Sequence, residues 1–354
     1  MIRRVWVLIS VLLTAPAWAQ DEGQPPATPA AASPLDAVRS KTVIADEDRA
    51  VLRQWISEKV NAIAAGGVTS LAALRDEGAN GSDAFKEAFQ TLTFELVEPA
   101  LGGAKLGPAA QLLAHVASLE SLNAHKLLLK SLSDERVAIR TVAAAGLRNL
   151  RSKIAGAGGS VLNDTIEALR TAGKTETSTP ALETIYEALN FAGAGATLAD
   201  SKPAALAVLD ILATRATDLQ RGEVRAEAAD AVGMKLAASL QASLGDPEKQ
   251  RLLEAVAGIL RYSVLRYAAD LHREKVRDKI APAAMIQLRN STEHIIELAE
   301  SQLAAALNPP TRPNITDAMS KDADTTKMKN QLNEWAELLK TATGKDFGVG
   351  EATP

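Results

Sequence analysis

The sequence predicts an all-α fold on three observations. Aromatic residues make up 3% of the chain, while hydrophobic residues, led by alanine and leucine, make up 47%. Alanine and leucine are strong helix formers, whereas strands favour aromatic and β-branched residues. Apolar residues also recur at helical spacing: Leu52, Ile56, Val60 and Ile63; Leu112, Leu113, Val116 and Leu119; Leu182, Ile185, Tyr186 and Leu189; Leu206, Leu209, Leu212, Ala216 and Leu219. Finally, helix-boundary chemistry falls between the stripes. Thr179-Pro180 and Asp246-Pro247 set a capping oxygen before a proline, while Gly66-Gly67, Gly102-Gly103 and Gly158-Gly159 punctuate helix ends.

Along the chain, residues 1–19 have the layout of a cleavable Sec-type secretory signal. Arg3 and Arg4 precede the apolar run Val5 to Leu13, and Ala17-Trp18-Ala19 forms an A-x-A site. The run is too short for a comfortable membrane span, and no later stretch offers a transmembrane segment. Residues 20–41, which include "DEGQPPATPAAASP", read as a Pro/Ala-rich linker with little to bury. Residues 42–307 form the helical domain. A Pro-rich loop follows at 308–325, then an amphipathic helix at 326–342 with Met328, Leu332, Trp335 and Leu339 in line, and a flexible tail at 343–354. A capping role suits that last helix.

The chain has no cysteine, which removes disulfides, thiolate metal sites and a lipidated N-terminal cysteine from consideration. At 354 residues it can bury a large core without them. The net charge is −4, and −6 once Arg3 and Arg4 leave with the leader. A mildly acidic chain is a poor general binder of nucleic acid.

Three stretches align: "DERVAIRTVAAAGL" at 134–147, "PALETIYEALNFAG" at 180–193 and "EVRAEAADAVGMKL" at 223–236. Set on Val137, Ala181 and Val224, they start 44 and 43 residues apart. A period of about 40–47 residues with two helices per unit is that of stacked helical repeats. Asp134, Val137, Arg140, Ala143, Ala144 and Leu147, and again Glu223-Val224-Arg225, Ala228-Ala229, Ala231 and Val232-Gly233, resemble the second helix of a HEAT or armadillo repeat. The match covers 108–260 and is good in two or three units. The resemblance implies antiparallel helix pairs stacked as an α-solenoid. A compact irregular helical bundle is the alternative that the same stripes permit.

The small residues have a physical reason in such a stack, where each helix touches its own partner and the neighbouring units. In 134–154, Ile139, Val142, Ala143, Gly146, Leu150 and Ile154 line one face, and Val137, Ala144 and Leu147 an adjacent one. Small side chains bring helix axes toward the short end of the ~8–10 Å range. This assignment leaves Arg136, Arg140, Arg148 and Arg151 to face water or a partner.

No catalytic, metal or cofactor motif is present. His115, His125, His272 and His294 lie in no H-E-x-x-H, and His272 shares an apolar stripe with Leu265, Ala269, Val276 and Ile280. Asp46-Glu47-Asp48 precedes a helix, where capping explains it. "GAGGS" at 156–160 follows a helix and lacks the lysine of a phosphate loop, so it reads as a turn. One strip invites a binding role: Tyr262, Arg266, Arg273 and Arg277 share a helix face, with Asp270 placed to pair with Arg266. A basic strip with an aromatic suits an acidic partner or an anionic envelope polymer; a solvated face with internal ion pairs is its alternative.

The expectation is an exported, non-catalytic scaffold that binds another protein through an extended α-solenoid surface, periplasmic or extracellular in a Gram-negative bacterium. Two rivals stand beside it: an all-α enzyme acting on envelope polymers or exported substrates, and a structural protein of the cell envelope.

Overall fold

The computed structural model describes residues 33–194, 198–222, 227–277, 283–322 and 325–349. Among them every regular element is helical. The first seven are α1 (Asp36–Arg39), α2 (Asp46–Ala64), α3 (Val68–Ala79), α4 (Asp83–Gly103), α5 (Leu106–Ser118), α6 (His125–Ser131) and α7 (Val137–Ala157). There follow α8 (Gly159–Thr175), α9 (Thr179–Ala188), α10 (Leu198–Arg221), α11 (Glu227–Leu240), α12 (Asp246–Arg277), α13 (Ala283–Leu307), α14 (Ile315–Asp322) and α15 (Thr325–Thr343).

The chain ends depart from the sequence expectation. The signal and most of the linker lie outside the described residues, but the linker's last part, 33–41, is packed. It carries α1, with Leu35 and Val38 buried in the core. The Pro-rich loop likewise contains α14, and Phe347 in the expected tail is buried. By contrast, α15 spans nearly the predicted 326–342, with Met328, Leu332, Trp335 and Leu339 all buried.

Two series of neighbours organise the helices. In one, α7 lies between α5 and α9, α9 between α7 and α11, and α11 between α9 and α13. In the other, α10 lies between α8 and α12, and α12 also carries α13 and α15. Consecutive helices join the two, as α7 does with α8 and α10 with α11. The reversal from α7 to α8 is abrupt: Gly158 and Gly159 take φ of +59° and +50°, where a side chain is strained. Gly66 also turns left-handed, at +103°, whereas Gly102 and Gly103 simply complete α4.

Small residues set the approach of neighbouring helices. A β-carbon on Gly146 of α7 would stand 2.9 Å from that of Ala117 on α5 and 2.8 Å from a Leu128 methyl on α6. On Gly173 of α8 it would meet Ile211 of α10 at 2.5 Å, and on Gly233 of α11 it would enter the Tyr186 ring of α9. Ile139, Ala143, Ala144, Gly146, Leu147, Leu150 and Ile154 are buried as the α7 stripes require, but Val137 at its first turn is 42% exposed.

The four arginines expected to face water or a partner are half-buried, and each also bonds to another segment of the chain. Arg136 clasps Asp134 through two contacts of 2.8 Å and donates to the Leu101 and Ala104 carbonyls at the end of α4, which lack helical partners. Arg140 donates to Glu176 at 2.7 and 2.9 Å. Arg148 pairs with Glu187, and Arg151 donates to the carbonyls of Glu187 and Asn190. Further polar contacts bind the second series: Asp210 on α10 receives Arg170 from α8 at 2.8 Å and Arg251 from α12 at 2.9 Å. The sequence separations are alike: 36 for Arg140–Glu176, 39 for Arg148–Glu187, 40 for Arg170–Asp210 and 41 for Arg251–Asp210.

Carboxylates also organise the helix starts. Asp48 of the acidic triplet accepts from Ala45 N at 3.2 Å and from Lys41 at 2.6 Å, at the start of α2. The expected cap at Thr179 is not used: Thr179 is already helical, and Glu176 Oε1 takes the Thr177 and Ser178 amides at 3.0 and 2.8 Å. At the C-terminal end, the buried Glu300 of α13 accepts from four donors. They are Ile315 N at 2.7 Å, Thr316 N at 2.9 Å, Thr316 Oγ1 at 2.6 Å and Trp335 Nε1 at 2.9 Å. One carboxylate therefore starts α14 and anchors α15.

Candidate functional site

The expected binding strip is described only at its beginning. Tyr262 and Arg266 sit one turn apart on α12, both half-buried. Arg266 Nη1 donates to the Tyr262 hydroxyl at 2.9 Å, and its guanidinium carbon lies 5.9 Å from the ring centroid. Arg273 and Arg277 fall within α12, but their side chains, with those of Asp270 and His272, lie outside the described residues.

The remaining histidines are dispersed. His115 is buried on α5 with neither ring nitrogen hydrogen-bonded, and burial, aided by the charge of Arg75, lowers its pKa to about 4. His125 Nε2 meets Thr165 Oγ1 at 2.7 Å, and Thr165 donates to the Val161 carbonyl. A carbonyl only accepts, so the hydroxyl proton goes there and the imidazole donates. His294 receives Lys235 Nζ at 2.9 Å at the surface. Among the described residues no group of acids and histidines is arranged to hold a metal ion.

Among the described residues the most buried ion pair joins α10 and α11, with α9 packed beside it. Arg215 and Asp230 are 1% and 0% exposed and pair through two contacts, Nε–Oδ1 at 2.9 Å and Nη2–Oδ2 at 3.0 Å. Tyr186 lies beside them, close enough for both charges to act on its phenol, and burial raises its pKa well above the ordinary value. Burial also pushes the Asp230 carboxyl up, against the pull of Arg215. Among the described residues the Tyr186 hydroxyl and Arg215 Nη1 have no hydrogen-bond partner. Sequence reasoning missed this group, although Arg215 stands in the Leu212–Leu219 stripe at core spacing. It offers no access to a substrate, and its evident work is to lock α10 to α11.

An open groove lies on the second series, beside α8. It encloses about 410 Å³ and is floored by Leu129 and Leu132 from α6 and its C-terminal end and by Ala168 and Ala172 from α8. Asp164 and Glu167 stand at one end, and Ser133, Thr171 and Thr175 supply hydroxyls. Glu167 is paired with Arg170 at 2.8 Å. Across α8, Asp164 and Glu167 also border a second recess of about 370 Å³ against Pro203 and Leu206 of α10.

These described residues define an all-helical protein, in which no helix is long and apolar enough to cross a membrane. No family model matches the chain, and no curated protein or solved structure matches it.

Proposed function

We propose that the chain is an exported, non-catalytic α-solenoid of the HEAT or armadillo kind that binds another protein along an extended helical surface, in the periplasm or outside the cell. One observation carries the reading. Helices α7, α9 and α11 carry the helical parts of the three aligned stretches, of which 223–226 lie outside the described residues; the three are successive neighbours, and ion pairs between packed segments recur at separations of 36 to 41 residues. When equivalent positions of consecutive units touch, the separation of contacting residues approaches the repeat length. Stacked repeats expose long surfaces that commonly serve binding, and that functional step is an analogy at the level of fold. Export rests on the leader at 1–19.

Crosslinking in intact cells, followed by identification of captured proteins, tests the binding role. The expected result is one protein recovered reproducibly with the wild-type chain and lost at elevated salt or by surface substitution. Recovery of self-crosslinks alone, or hydrolysis of an envelope polymer by the purified chain, would overturn it. Cleavage after Ala19 in the exported chain tests localisation.

A further inference from the structure

We infer that the groove along α8 receives an amphipathic helix of a partner protein, with leucine- or isoleucine-sized side chains over Ala168 and Ala172 and a lysine or arginine against Asp164. This inference rests on the protein-binding reading and gives it a surface and a partner chemistry.

Length mismatch creates the groove. α8 has 17 residues and α6 has 7, about 25 Å against about 10 Å at 1.5 Å per residue. α8 packs along α7, α9 and α10 and is met by α6 at Thr165, where His125 Nε2 lies 2.7 Å from Thr165 Oγ1; beyond that contact, much of its flank on that side lacks a neighbour of matching length. The residues on that flank, Asp164, Ala168, Thr171, Ala172 and Thr175, fall at the i, i+3 and i+4 spacing of one helix face. Small residues at such positions are the device by which this protein's own helices come close, as at Gly146 and Gly173. A second helix fits a face of this kind better than a compact ligand, which binds where most of its surface can be enclosed.

Charge selects the occupant. Asp164 is exposed, and among the described residues it has no ion-pair partner, whereas Glu167 already holds Arg170. An entering helix therefore meets one uncompensated carboxylate at the end of an apolar floor. Apolar anchors at i and i+4 with a cation beside them complement it, in the manner of helix-in-groove recognition.

A fluorescein-labelled 16-residue helical peptide of leucine, alanine and lysine, and its counterpart with glutamate for lysine, are the probes, read by anisotropy on the full chain. The lysine peptide should bind at least tenfold tighter than the glutamate peptide. Ala172→Trp, which fills the floor, should weaken it at least tenfold. Asp164→Lys, at an exposed position that leaves Tm unchanged, should reverse the preference. Equal binding of the two peptides, or binding that neither substitution alters, would overturn the inference. A dimer in sedimentation that Ala172→Trp dissociates, without peptide binding, would overturn it in favour of a second copy as occupant. A cellular partner captured equally by the wild type and both variants would overturn the groove assignment while leaving the scaffold reading intact.

Discussion

Arg140 of α7 and Glu176 before α9 form a bidentate ion pair whose carboxylate is 1% exposed, and the same carboxylate holds the first amides leading into α9. Burial alone would push the Glu176 carboxyl up. The Arg140 guanidinium and the two amides outweigh it and hold the carboxyl below its ordinary value. Glu176→Ala removes an acceptor from three directions and leaves the Arg140 guanidinium, 18% exposed, with only its bonds to the Asp134 and Glu135 carbonyls. The expected loss is about 3 kcal/mol, at the low end for breaking a buried pair. Arg140→Met leaves the carboxylate with its amides and should cost less. Urea denaturation of both variants tests the order.

Glu300→Ala should release the C-terminal helices before the rest of the fold. Four donors converge on this carboxylate, two of them backbone amides at the start of α14 and one the indole of Trp335. Leaving them without an acceptor in a fully buried place costs about 1–3 kcal/mol for each group that water cannot reach. Hydrogen exchange should quicken across 315–343 and stay unchanged in α7 and α9. Uniform acceleration throughout the chain would contradict the local role.

Glycine substitutions separate helix propensity from close packing. Alanine for glycine inside a helix stabilises by ~1 kcal/mol where space permits. A β-carbon added at Gly102 or Gly156 would meet no atom of another segment within 4 Å, so Gly102→Ala and Gly156→Ala should raise Tm. Gly146→Ala and Gly233→Ala should lower it, at a cost of about 1–3 kcal/mol, because Ala117, Leu128 and the Tyr186 ring stand in the way. Thermal melts of the four variants read the contrast directly.

His115 gives the acid limb of stability a specific component. Its folded pKa of about 4 lies below the ordinary 6.5, because burial penalises the cation and Arg75 adds to the penalty. The unfolded chain therefore binds a proton that the folded chain refuses. Stability from this group is complete above pH 6.5, falls as pH drops from there toward 4, and loses up to ~3 kcal/mol. His115→Leu should flatten that part of the profile relative to wild type. Parallel profiles for the two proteins between pH 6.5 and 4 would contradict the assignment.

Periodicity made the helices legible. Leu182, Ile185, Tyr186 and Leu189 are all buried, as are Met328, Leu332, Trp335 and Leu339. What stayed hidden depends on residues distant in sequence. Nothing local tells that Arg140 will meet Glu176 or that Arg170 will meet Asp210, since each partner arrives about 40 residues later. The short helices α1 and α14 escaped for the same reason: burial of Leu35, and of Ile315 beside Glu300, comes from tertiary packing rather than from a repeating stripe. The α8 groove was equally invisible, because it arises from the difference in length between two helices rather than from a motif.

Small-angle scattering of the purified mature chain tests the stacked-repeat account most directly. A compact domain of about 320 residues has a radius of gyration of roughly 20 Å. A stack of repeats gives a clearly larger value and a pair-distance distribution with a long tail from end-to-end vectors along the stack. A symmetric distribution with a radius near the compact value would contradict it.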